Sequence, residues 1–233
     1  MTVYQYNRSV DTGSMPDRVR RLPISPQGFP VPFFVTWFKD GKPCAPGAGV
    51  PDFRVIDPLK MVKAVRQHLC WVCGGVMGVH KCFVIGPMCA VNRINSEPPS
   101  HRDCAIYAAR VCPFLSNPRM VRNDKGMVGE TGELRDGLVP PAGIHLDRNP
   151  GATCVWITKS YRPFKEGNGV LFSLGRPEEV LWFAQGRRAT RQQVLASIES
   201  GYPALEEMAR QDGAAAVTAL ATKREVAMAL VPA

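Results

Sequence analysis

The chain contains no run approaching the roughly 18 apolar residues that a membrane helix needs, and its polar start, MTVYQYNRSVDTGS, lacks the apolar centre of a secretory signal. No membrane association is expected, and the cytoplasm is the expected compartment. No G-x-x-x-x-G-K-S/T, no dinucleotide-binding glycine fingerprint and no G-x-S-x-G occurs. These absences argue against a P-loop, a Rossmann cofactor turn and a serine-hydrolase elbow. The H-x-E and P-C-x-x-C pair of a zinc deaminase is also missing. Acidic residues are scarce: 20 Asp and Glu face 29 Lys and Arg, a net charge of +9 on 233 residues. Such an excess favours an acidic partner, either nucleic acid or an acidic protein.

What is present describes a folded chain. Hydrophobic residues at 45% and charged residues at 21% are globular values, and the length suits one large domain or two small ones. Glycine and proline, 21 of each, should interrupt the regular elements often, so few long helices are expected. The pattern predicts an α+β fold of short antiparallel strands, a central metal module and a helical C-terminal part. Residues 1–25 read as a flexible basic arm. Residues 26–116 should hold a strand hairpin, a helix and the metal module, 117–152 a loop or linker, and 153–233 a second hairpin followed by helices. VPFFVTWF at 31–38 with its Asp-Gly turn reads as a strand entering a hairpin, and 43–51 as loop. Asp57 before Pro58 predicts a capped helix over 58–68, with Leu59, Val62, Val65 and Leu69 on its apolar side. Ser100 with Asp103 suggests a capping box opening a helix over 101–111. TCVWIT at 153–158 and GVLFSLG at 169–175 read as paired strands. Helices are expected near 177–185, 191–200 with Gly201 as terminator, 203–212 and 214–229.

The informative segment is 69–112. Cys70 and Cys73 form a C-x-x-C followed by Gly74 and Gly75, and His101 and Cys104 form an H-x-x-C. Glycine permits the backbone angles of a tight knuckle that turns two thiolates inward. Residues i and i+3 share one helix face, so His101 and Cys104 can present a nitrogen and a sulfur to one ion. Cys70, Cys73, His101 and Cys104 therefore predict one structural zinc. The alternative is that the cysteines simply pack in a core, where that residue type is common. Cys112 is the rival fourth ligand, but eight residues of helix carry it about 12 Å beyond Cys104. Cys82, Cys89 and His80 match no complete ligand set, and Cys44 and Cys154 are isolated, so these are expected as ordinary residues. Glu97, in Glu-Pro-Pro, reads as a solvated turn rather than a base.

The order of knuckle, short hairpin at VMGVHKCFVIG and ligand-bearing helix resembles a treble-clef zinc module, over about 45 residues. The wider run from Cys70 through CPFL at 112–115 resembles uncharacterised phage or prophage proteins, which implies a bacterial or phage-infected cell and supplies no activity. Four ligands close a zinc shell and leave no position for a reacting water. The preferred reading is a non-enzymatic zinc-stabilised protein docking on nucleic acid, with a host or viral protein as the other partner. A metal-dependent nuclease of the His-Asn-His kind is the enzyme alternative, with His80, Asn92 and Asn95 between the ligand pairs. That family's usual Asp-His doublet is missing. Lys60, Lys63 and Arg66 on one helix stripe, and Arg187, Arg188 and Arg191 in GRRATR, are the candidate phosphate contacts.

Overall fold

A computed structural model of the chain describes residues 4–123, 125, 127, 148–167 and 169–233. Residues 4–25, expected as a flexible arm, instead pack on the protein. Their helix α1 (Asp17–Arg20) buries Val19, and Met15 and Val19 join Cys70, Val72, Met77, Cys104 and Tyr107 in one apolar cluster. The Tyr107 hydroxyl donates to the Asp11 carbonyl at 3.1 Å. Polar composition concealed this packing, because two well-spaced apolar side chains suffice to anchor a segment whose remaining residues face water.

The first hairpin forms as expected but later in the chain. Strand β1 (Val35–Lys39) turns at Asp40 and Gly41, whose φ values of 51° and 74° suit the Asp-Gly pair. Strand β2 (Lys42–Cys44) lies on one side of β1, and β3 (Val50–Ile56), partly inside the expected loop, on the other. Helix α2 (Pro58–Gln67) opens on Asp57, whose Oδ1 accepts from the Leu59 and Lys60 amides. Its orientation differs from the expected one: Ala64 is buried, whereas Leu59 is 79% and Val62 47% exposed.

Downstream, β4 (Lys81–Ile85), α3 (Pro87–Asn92), β5 (Ile94–Asn95), α4 (Arg102–Val111) and α5 (Pro113–Ser116) follow in close succession. The expected hairpin at VMGVHKCFVIG is not formed. Instead β4 pairs antiparallel with the distant β6 (Thr153–Thr158). Nor do TCVWIT and GVLFSLG pair: β7 (Tyr161–Glu166) and β8 (Gly169–Leu174) form their own hairpin, with β5 beside β8. The segment expected as a helix at 177–185 is strand β9 (Pro177–Ala184), which lies along β6, and β10 (Arg187–Arg188) closes the 4-stranded sheet β10-β9-β6-β4. The reason is visible in the side chains. Along β9, Leu181 and Phe183 face one layer while Trp182 and Ala184 face the other. A strand buried on both faces loses its apolar-polar alternation and reads like a buried helix.

The layers on the two faces differ. On one, Cys82, Val155, Ile157, Leu181 and Phe183 meet Ala105 and Ala109 of α4. On the other, Phe83, Trp156 and Trp182 meet Phe172 of β8 together with α3, α6 (Arg191–Asp212) and α7 (Ala214–Met228). Thr190 and Gln193 form the expected capping box. Gly201 does not terminate α6, which continues through Pro203. A Cβ on Gly201 would lie 2.9 Å from Met88 Cγ, so glycine here admits a close neighbour. Because β4 pairs with β6, the portions 26–116 and 153–233 share one sheet. Most of the 117–152 linker falls outside the described residues; at its described ends Val121 bridges Arg148. No helix among the described residues is long and apolar enough to cross a membrane.

Burial of Met15 at 4% exposure makes the N-terminal segment testable. Met15→Ala should destabilise the protein by about 2–4 kcal/mol in chemical denaturation. An unchanged midpoint would detach residues 4–25 from the core.

Candidate metal centre

The knuckle is built by backbone hydrogen bonds. The Cys70 amide donates to the Gly75 carbonyl at 2.7 Å, the Gly74 amide to the Cys70 carbonyl at 2.8 Å, and the Met77 amide to the His68 carbonyl at 3.0 Å. Gly74 has φ 72°, and a Cβ there would sit 2.7 Å from the Phe33 ring. Both observations require glycine. The knuckle is tied to the rest of the chain at two points. Phe33 donates its amide to the Val72 carbonyl at 2.7 Å, and Trp71 donates to Pro99 at 3.1 Å. Phe34 stacks on Trp71 at 5.1 Å between centroids.

The second pair of donors arrives on α4. Ser100 is not its cap; it forms a two-way bridge with Cys82, and His101 takes the N-cap position without a side-chain capping bond. The helix thus starts one residue later than the Ser100 signal suggests. The two backbone bonds to Cys82 hold Ser100 in the ladder beside β4, one residue ahead of the N-cap.

All four donors, from Cys70, Cys73, His101 and Cys104, lie within 4.8 Å of one another. Cys73 Sγ and His101 Nδ1 are 3.3 Å apart. A tetrahedral shell with bonds of about 2.3 Å to sulfur and 2.0 Å to nitrogen separates its donors by about 3.5–3.8 Å, so the set fits one metal ion. Cys70 and Cys104 are fully buried, while Cys73 and His101 are half-buried. The amides of Cys73 and His101 point at Cys70 Sγ from 3.4 and 3.3 Å. His101 Nε2 lies 3.0 Å from the Val76 carbonyl. With the proton on Nε2, that carbonyl orients the ring and leaves Nδ1 free for the ion.

The thiols also act on one another. Bonds from the Cys104 and Cys73 thiols, with the two amides, hold Cys70 far below the ordinary thiol range. Cys104 is pushed strongly up by Cys70, then by Cys73 and by burial. For Cys73, Cys104 pulls downward, but Cys70 and burial outweigh it and the thiol stays raised. Without a cation, one thiolate therefore suppresses the other two. A divalent ion would let all three ionise, leaving a net charge of about −1 on a Cys3His shell. Arg18 and Arg21 line a cleft of about 310 Å³ that opens on Cys73 and His101, and Arg18 lies 3.9 Å from Asp103 in the first turn of α4.

The other sequence candidates lie elsewhere. Cys112 ends α4 and, with Cys82, Cys89 and Cys154, is outside the cluster; burial raises all four thiols, Cys82 to about 12 and Cys89 to about 11. His80 Nε2 is 3.1 Å from a Glu178 carboxylate oxygen. Asn92 accepts from the Ile94 amide, and Asn95 donates to the Glu97 carbonyl. Glu97 is half-buried rather than solvated. Burial raises its carboxyl, Arg122 opposes that shift, and its charge is felt by Cys89 and Cys112.

Of the basic residues, Lys60 is bound into the fold: its ammonium donates to the Val35 carbonyl at 2.7 Å and sits 3.6 Å from Asp57. Arg191 donates to the Pro232 carbonyl at 3.0 Å. Lys63, Arg66, Arg187 and Arg188 are exposed. Sequence reasoning missed Arg18 and Arg21 beside the cluster, because nothing local marks the arm as its neighbour.

No protein family, no curated protein and no solved structure matches this chain. The treble-clef and phage resemblances thus rest on the sequence alone, and the missing hairpin departs from the treble-clef order.

Two outcomes follow from this geometry. Cys70→Ala, Cys104→Ala and His101→Ala should each lose tightly bound metal in elemental analysis, whereas Cys112→Ala and Cys89→Ala retain it. Loss in the latter pair would redraw the ligand set. Because burial raises the Glu97 carboxyl, folding is favoured by its neutral form: the contribution is full below the unfolded-state pKa and lost as pH rises through the folded one. Glu97→Gln should therefore stabilise the protein at pH 8, with the gain disappearing near pH 3 in denaturation curves; a pH-independent difference would refute the assignment.

Proposed function

We propose that this protein is a non-enzymatic binding protein whose fold is stapled by one zinc ion and which docks on nucleic acid. The observation that carries the reading is the four-donor set itself. Three sulfurs and one nitrogen within 4.8 Å suit zinc better than harder cations, and four protein ligands leave no open position for a metal-bound water. The cluster lies where the knuckle, the N-terminal segment and α4 meet, so the ion would contribute to folding directly. Its role is structural.

The partner is argued from charge. A net charge of +9 and exposed Lys63, Arg66, Arg187 and Arg188 favour a polyanion, and nucleic acid is the densest one available. An acidic host or viral protein is the alternative that the same charge would serve. His80, already paired with Glu178, gives the nuclease reading little support.

The test is binding of labelled nucleic acid by zinc-loaded protein across a salt series. Log affinity should fall linearly with log salt, and Lys63→Gln with Arg66→Gln should lower the slope by about one to two, at just under one per phosphate contact on duplex DNA. Absence of binding at about 50 mM salt would replace nucleic acid with a protein partner. Cleavage of plasmid with Mg2+ that disappears in His80→Ala would overturn the non-enzymatic reading.

A further inference from the structure

We infer that the outward face of α2 reads duplex DNA from the major groove, with Leu59 and Val62 set against thymine methyl groups. The inference rests on the nucleic-acid reading above and assigns it a helix, a groove and a strand form. Residues 59, 62, 63 and 66 recur at the i, i+3, i+4, i+7 spacing of one helix stripe. All four are exposed, Leu59 at 79% and Val62 at 47%, and Pro58 and Gln67 extend the same open side. The opposite side holds the helix to the protein: Ala64 is buried, Met61 and Val65 pack on the largest core cluster, and Lys60 donates to the Val35 carbonyl.

The charge of this face has one sign. Lys63 and Arg66 lie on it, and α2 carries no acidic residue from Pro58 to Gln67. A second copy of the face would therefore meet like charges, whereas a polyanion meets opposite ones. Both ends of the helix are fixed. Asp57 caps the start through the Leu59 and Lys60 amides. At the other end the Leu69 amide donates to the Ala64 carbonyl and the Met77 amide to the His68 carbonyl, each at 3.0 Å. The last bond ties the helix end to the metal knuckle, so the stripe is presented on a rigid platform and little ordering is lost on binding.

The two aliphatic side chains decide the groove. Phosphates alone would be answered by Lys63 and Arg66 and would leave Leu59 and Val62 in water. A helix about 10–12 Å across enters the major groove, about 12 Å wide, where thymine offers its methyl group to apolar side chains and guanine two acceptors to an arginine. At about 100° per residue, Arg66 falls between Leu59 and Val62 on the stripe, facing base edges, and Lys63 falls at its margin, facing a phosphate. The minor groove is about half as wide and presents no methyl group. A single strand has no groove to receive the helix.

The experiment uses the zinc-loaded full chain and fluorescence anisotropy with three labelled probes: a thymine-rich duplex, the same duplex with uracil in place of thymine, and its single strand. The uracil duplex keeps every phosphate and lacks only the methyl groups. Wild-type protein should bind the thymine duplex at least about threefold more tightly than the uracil duplex, and the single strand most weakly. Leu59→Ala/Val62→Ala removes exposed side chains without lowering helix propensity; it should bind both duplexes equally and keep the wild-type salt slope. Lys63→Gln/Arg66→Gln should weaken both duplexes and keep the thymine preference. Val217→Ala/Val226→Ala, which trims aliphatic residues 40% and 43% exposed on α7, should leave affinity and preference unchanged. Equal affinity of the wild type for the two duplexes, or a preference that survives in Leu59→Ala/Val62→Ala, would overturn the placement on α2 and leave the nucleic-acid reading standing. Tighter binding of the single strand would overturn the duplex assignment. A wild-type protein that binds none of the three at about 50 mM salt would sink the nucleic-acid reading itself.

Discussion

Three thiols and an imidazole are held so close together that, without a cation, the Cys70 thiolate keeps the other two thiols protonated. Cys70, Cys73, His101 and Cys104 converge within 4.8 Å, and two of the four are fully buried. The surroundings prevent them from separating. Gly74 is locked against Phe33, Trp71 is bonded to Pro99, and Met15, Val19 and Tyr107 close the apolar shell behind the sulfurs. A metal ion there would let all three thiols ionise, and it would support the same contacts as the apolar packing.

Helix α4 connects this centre to the sheet. Its start carries two of the four clustered donors, His101 and Cys104, Ala105 and Ala109 let it lie close on β4, β6 and β9, and its last turn carries Arg110. Arg102 grips Glu179 of β9 with Nη2 2.9 Å from the carboxylate. The exposed ion pair itself contributes little. The small residues in the middle of the helix matter more, because larger side chains would lift it off the sheet and carry His101 and Cys104 away from the knuckle.

The four clustered donors were legible in the sequence because their signal is local: paired spacing, glycines after the second cysteine and a helix start. The same holds for the Asp57 and Thr190 caps and for the Asp40-Gly41 turn. What escaped was set by distant partners. PEEVLWFA became a strand because β6 offered it a two-sided slot, and VMGVHKCFVIG failed to fold back because β6 also claimed β4. Lys60 looked like a surface charge until the Val35 carbonyl and Asp57 took its ammonium.

The ends of the 4-stranded sheet differ from its middle in one respect. At one edge, β10 offers only two residues, both arginine; at the other, Cys82 of β4 is already bridged to Ser100. An incoming strand from another chain would find too few free backbone groups at the first edge, with two positive charges facing it, and an obstructed ladder at the second. Short, charged or covered borders of this kind disfavour growth of the sheet from one molecule into the next. The arginine pair of β10 thereby guards this border against edge-to-edge pairing.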